Sequence, residues 1–160
     1  MVGGFDYFFA EEYPGVVRSL ALALGDADIA EDIAQEGFAR ALERWDRVRL
    51  MDRPATWVYV VAMNRARDRY RHIARAPDPD ASGAVADPAG TVAVSVTIRT
   101  ALAGLSPRQR QVVVLRFVAD LGLDEIGTVM GCALGTVKST LHQALARLRV
   151  VVVENEKEDP

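Results

Sequence analysis

Apolar residues return at three- and four-residue steps along most of this chain, and no two-residue alternation persists long enough to build a sheet. One stripe consists of Ile29, Ile33, Ala34, Phe38, Ala41, Leu42 and Trp45, with Glu31, Asp32, Gln35, Glu36 and Arg40 on the opposite side. Asp28-Ile29-Ala30-Glu31 has the form of a capping box, an acceptor followed three residues later by a glutamate that can reach back, so a helix is predicted to begin there. Ahead of it, Phe5, Phe8, Phe9, Val16, Val17 and Leu20 predict a partner helix over residues 5–24, bent or interrupted at Pro14-Gly15. A third helix should start near Pro54, since proline suits a first turn, and run to about Arg75. Its apolar side is Trp57, Val58, Val61, Ala62 and Tyr70.

The second half is punctuated more sharply. A short helix is expected over residues 94–102, followed by Ser106-Pro107-Arg108-Gln109, which combines an N-cap serine, a first-turn proline and a glutamine closing a capping box. Val112, Val113, Leu115, Phe117 and Val118 continue that helix. Two more helices, 123–130 and 134 to about 150, are separated only by Gly131-Cys132-Ala133, a turn whose glycine can take the left-handed conformation that helix ends favour. Between the halves, Ala76-Pro77-Asp78-Pro79-Asp80 through Pro88-Ala89-Gly90 removes backbone donors and discourages burial, and so reads as a linker. The prediction is therefore an all-α protein of two small helical domains: residues 1–76, a flexible linker over 77–93, a second domain over 94–152, and an acidic tail over 153–160.

Length and composition add limits. With 160 residues and 50% apolar content, the chain can bury one modest core or two small ones, and only the linker argues for two. A net charge of −3 excludes a uniformly basic nucleic-acid coat, but the charge is uneven. Between Arg40 and Arg75, ten arginines stand against four acids, a local excess of six positive charges. Cys132 is the single cysteine, which excludes an intramolecular disulfide and a thiolate metal cluster and fits a reducing cytoplasm. No apolar run reaches the length of a membrane span, so no membrane insertion is expected. His72 and His142 lie far apart, with no nucleophile and base pair, phosphate-cradling loop or ligand cluster nearby; neither catalysis nor a cofactor or metal is expected.

The chemistry concentrates in Leu123 to Leu141. A helix-turn-helix needs small residues where its helices touch and a glycine in the turn, and Gly127 and Gly131 stand at those places. Ile126, Met130, Val137 and Leu141 can hold the second helix on the first, leaving Thr136, Lys138, Ser139, His142 and Gln143 outward near the end that enters a major groove. Arg147 and Arg149 extend the cationic edge toward phosphates. A plain helical hairpin with solvated polar residues is the alternative.

Taken together, Asp28-Ile29-Ala30-Glu31-Asp32-Ile33-Ala34-Gln35-Glu36-Gly37-Phe38, the run from Trp57 to Arg71, Leu105-Ser106-Pro107-Arg108-Gln109-Arg110 and the helix-turn-helix ending Gly135-Thr136-Val137-Lys138-Ser139 resemble the bacterial extracytoplasmic-function sigma factors over nearly the whole chain. The resemblance implies that Asp32, Gln35 and Glu36, with Arg40 beside them, dock on the clamp helices of core RNA polymerase. It implies that Asn64, Arg65, Arg67, Asp68 and Arg71 face the −10 promoter element, with a melted base taken up near the Trp45 to Thr56 connection. Thr136, Lys138, Ser139, His142, Gln143 and Arg147 would read the −35 duplex. Core polymerase and promoter DNA are the implied partners, and an anti-sigma factor is left open. Trp57, Tyr59 and Tyr70 are read as packing residues before stacking residues. The recognition helix departs from many relatives in carrying Thr140 and Gln143 where they carry arginine, so their −35 sequence does not transfer. Two rivals stand beside this reading, a helix-turn-helix regulator acting without polymerase and an adaptor that keeps only the docking face.

Overall fold

In a computed structural model, residues 3–75 and 96–158 are described, and they form eight helices with no strand among them. The linker expected over 77–93 lies outside the described residues. Helix α1 (Gly3–Leu24) runs through Pro14 without interruption. Pro14 is exposed, so water can take the carbonyl that its missing N–H leaves free. Helix α2 (Ala27–Glu43) starts earlier than the Asp28 signature predicts. Its cap is Asp26, in extended conformation, whose Oδ1 accepts from the Ile29 N–H at 3.0 Å, while Asp28 sits in the first turn. A single helical turn, α3 (Trp45–Val48), interrupts the connection to α4 (Pro54–Arg75), and no sequence pattern predicts it.

In the second half, α5 (Val96–Ala103) leads to α6 (Pro107–Phe117), whose Ser106 and Gln109 form the expected reciprocal capping box. Helix α7 (Leu123–Met130) ends at Gly131 with φ +66°. Helix α8 (Leu134–Glu158) continues well past residue 150, because no glycine or proline stops it before Pro160.

The larger core crosses between the halves. Leu20, Phe38, Val58 and Met63 of the first half form one continuous buried cluster with Val112, Leu115, Ile126 and Val137 of the second. Burying each such side chain contributes roughly 1.5–3 kcal/mol, so the junction is held by apolar burial. Helix α1 meets α6, and α4 meets α7. A smaller cluster gathers Leu102, Leu105, Val113, Val114 and Ala144 around Ala23 of α1. At the N-terminal end, Trp45 packs edge-on against Phe5 at 5.4 Å and in a tilted arrangement against Phe8 at 5.1 Å, which anchors the start of the connection leading to α4.

Candidate nucleic-acid interface

The helix-turn-helix is built from two glycines with different tasks. A Cβ on Gly127 would come within 2.9 Å of the Cys132 carbonyl oxygen, so only glycine lets the turn fold this tightly onto α7. Gly131 supplies the left-handed residue that ends α7. Val137 is fully buried beneath α7, and Met130 and Leu141 are half-buried at its border. That packing turns Thr136, Lys138, Ser139, His142 and Gln143 outward, and all five are exposed. The Ser139 hydroxyl donates to the Thr136 carbonyl at 3.1 Å, which uses its proton and leaves its oxygen able to accept. Arg147 is exposed too, but its Nε donates to the Gly104 carbonyl at 2.7 Å and so ties α8 to the turn before α6.

On α4, Asn64, Arg65, Asp68 and Arg71 are exposed, while Arg67 is half-buried. Arg67 donates to the Asn64 side chain and, at 3.2 Å, to the Val129 carbonyl of α7. Burial pulls its pKa down from the ordinary guanidinium value, helped by the neighbouring Arg71 charge. Arg71 pairs with Asp68 at 2.9 Å. Tyr59 is core, its pKa raised by burial although a hydrogen bond with Ser19 opposes the shift, and it is not available for stacking.

The carboxylate face of α2 is not separate from this cationic row. Glu36 accepts from Arg65 Nε at 2.7 Å and from Arg40 Nη2 at 3.2 Å, and Asp32 accepts from Arg69 Nη1 at 3.2 Å. The hydrogen bond to Glu36, and then the Glu36 charge, raises the Arg65 pKa above the ordinary value. Gln35 is exposed and donates to Glu31 at 3.4 Å. The helices can sit this close because of Gly37: a Cβ there would stand 3.0 Å from Val58 Cγ1 and 3.2 Å from the Val58 carbonyl oxygen.

Sequence reasoning missed the contact between α4 and the second half. Glu125, the N3 residue of α7, accepts from the Gly122 N–H at 2.7 Å, from the Thr56 hydroxyl at 2.8 Å and from Arg53 Nη1 at 2.8 Å. Partial burial pushes its carboxyl up, but those three donors outweigh it and hold the pKa below the ordinary carboxylate range. Arg53 also donates to the Asp120 carbonyl at 3.0 Å. A groove of about 420 Å³ lies at this junction, lined by Met51, Arg53, Thr56, Trp57, Glu125 and Thr128. Arg53 and Glu125 lie 72 residues apart, and no local pattern links them. Gly37, inside an otherwise apolar stripe, is the signal in the sequence of the close approach of α2 and α4.

Comparison with known proteins follows the same division of the chain. Residues 8–76 match the family model for sigma-70 region 2, and residues 101–150 match that for sigma-70 region 4. The ECF RNA polymerase sigma factor SigW of Bacillus subtilis is 32% identical over 145 residues, covering 79% of this chain and 76% of SigW. The RNA polymerase sigma-E factor of Streptomyces avermitilis is 34% identical over 153 residues, covering 91% of this chain and 83% of that protein. Among solved structures, the sigma factor RpoE of Bartonella quintana, crystallised with the anti-sigma factor NepR, aligns with a TM-score of 0.73 at 20% identity over 93% of this chain and 96% of that one. The likeness to RpoE concerns the fold alone.

Proposed function

The chain belongs to the extracytoplasmic-function sigma factors, which bind core RNA polymerase and direct it to promoters, and from that premise we propose which of its surfaces carry each task. Asp32, Gln35, Glu36 and Arg40 dock on polymerase. Asn64, Arg65, Arg67, Asp68 and Arg71 meet the −10 element as its strands part. Thr136, Lys138, Ser139, His142, Gln143 and Arg147 meet the −35 duplex. The units doing this are residues 1–76 and 94–152, with 77–93 as the tether and 153–160 as an acidic tail.

The observation that carries the −35 assignment is the row of exposed donors and acceptors on the first turns of α8, above a buried Val137. A helix seated this way presents its N-terminal half to base edges, and Lys138 adds a phosphate contact. Support for the docking assignment comes from carboxylates that solvent can reach, which speed encounter with a basic partner. The −10 helix meets phosphates with arginines and opens the duplex by holding the melted strand better than the paired one.

The protein is proposed to act in the cytoplasm and to contribute no catalysis of its own. No helix among the described residues is long and apolar enough to cross a membrane. The anti-sigma factor NepR accompanies RpoE in its structure, and the proposal extends an anti-sigma partner to the present chain. A free-standing helix-turn-helix regulator is not favoured, since the first half matches sigma-70 region 2.

In vitro transcription with purified core enzyme on a genomic promoter library tests the assignment. Discrete start sites should appear only when the chain is added, and Lys138→Ala with Ser139→Ala should redistribute or abolish them. Start sites indifferent to those substitutions would remove the −35 role from α8.

A further inference from the structure

We propose that Asp32 and Glu36 restrain two arginines of α4, the promoter-facing Arg65 and its neighbour Arg69 one turn on, until core polymerase takes the carboxylates over, so that docking on polymerase frees cations to grip DNA. This rests on the docking and −10 assignments made above.

The geometry is a two-rung ladder. Asp32 and Glu36 are four residues apart on α2, and Arg65 and Arg69 are four apart on α4, so each pair lies on one face of its helix. Glu36 meets Arg65 at 2.7 Å and Asp32 meets Arg69 at 3.2 Å, a register that requires the helices to run antiparallel. Gly37 sets the spacing, because any side chain there would press on the Val58 backbone and carry the rungs apart. The rungs border a shallow groove of about 380 Å³, which Asp68 and His72 also line.

Asp32, Arg65 and Arg69 are exposed and Glu36 is half-exposed, so an incoming ligand can reach either member of each rung. Arg65 Nε is engaged by a carboxylate oxygen, and a phosphate must displace that oxygen before it can take the same hydrogen bond. A basic surface approaching from the α2 side competes for the same oxygens. Binding of one partner therefore lowers the cost of binding the other, which is a coupling free energy between two sites. Exposed pairs of this kind contribute about 0.2–1 kcal/mol each, so breaking both rungs corresponds to a gain of about two- to thirtyfold in affinity for phosphate.

The test is fluorescence anisotropy of the full chain with a labelled single-stranded 20-mer DNA at several salt concentrations, with and without saturating core polymerase. Asp32→Asn with Glu36→Gln is compared with wild type and with Asp28→Asn plus Glu43→Gln, a control of equal charge change on the same helix whose carboxylates form no ion pair among the described residues. Without polymerase, the ladder variant should bind DNA about two- to thirtyfold tighter than the control. Its log–log salt slope should be steeper, by about 0.7 for each additional phosphate neutralised. Adding Arg65→Gln and Arg69→Gln should erase the gain, and saturating polymerase should close the gap to wild type.

A ladder variant that binds DNA no better than the control, while its separately measured polymerase affinity falls, overturns the exchange and leaves the docking assignment standing. A ladder variant whose polymerase affinity is unchanged overturns the docking assignment and the exchange with it.

Discussion

Gly127 and Gly131 stand four residues apart in the same motif, yet the loss of each would be felt differently. Gly131 needs its backbone conformation, φ +66°, whereas Gly127 needs empty space beside a carbonyl oxygen that belongs to the rigid turn itself. Gly127→Val is therefore expected to cost about 1–3 kcal/mol, the range of overpacking. A urea denaturation midpoint measures it, and an unchanged midpoint would mean the turn can give way. Both glycines are legible because the motif that needs them is contiguous. The cap of α2 is harder to read. Asp26 and Asp28 are both plausible caps, and what decides between them is the path of the chain leaving α1 through Gly25 at φ +70°, which no pattern within α2 records.

At the scale of elements, Glu125 ties α7 both to its own N-terminus and to Arg53 and Thr56 of the first half. Its carboxyl is held below the ordinary range in the folded state, so the stability it contributes is fully present above the unfolded pKa. That contribution is lost as pH falls through the folded value. Glu125→Gln should thus be less stable than wild type at neutral pH, by on the order of 1 kcal/mol for a partly exposed hydrogen-bonded charge, and the two should converge in acid. Urea titrations at a series of pH values check this; a gap that persists at low pH would assign the loss to packing. Helix type, order and most ends can be read from periodicity, caps and punctuation, as Ser106 and Gln109 illustrate. Pairings between elements cannot, because Arg53 with Glu125 and Glu36 with Arg65 join distant residues whose local surroundings are ordinary surface helix.

For the whole molecule, the continuous cluster from Leu20 through Val58 to Ile126 and Val137 couples two halves that the linker composition alone suggests are separate cores. Thermal unfolding should then be one cooperative transition. The tryptophans offer a clean check, since Trp45 and Trp57 both lie in the first half while helical circular dichroism reports both halves. The two signals should change together, and a dichroism transition without a fluorescence counterpart would show independent halves. The charge distribution also differs from a simple partition into an acidic protein-binding face and a basic DNA-binding face. Asp32 and Glu36 are laced to Arg69 and Arg65, so the two faces share one seam.

The proposed division of promoter tasks between the halves is tested most directly by footprinting of the polymerase holoenzyme on one mapped promoter, combining backbone protection at −35 with permanganate reactivity of unpaired thymines at −10. Arg67→Ala with Arg71→Ala should abolish the thymine reactivity and keep the −35 protection, whereas Lys138→Ala with Ser139→Ala should erode the −35 protection first. Identical footprints from both variants, or full protection by the chain without polymerase, would contradict the assignment of separate promoter tasks to α4 and α8.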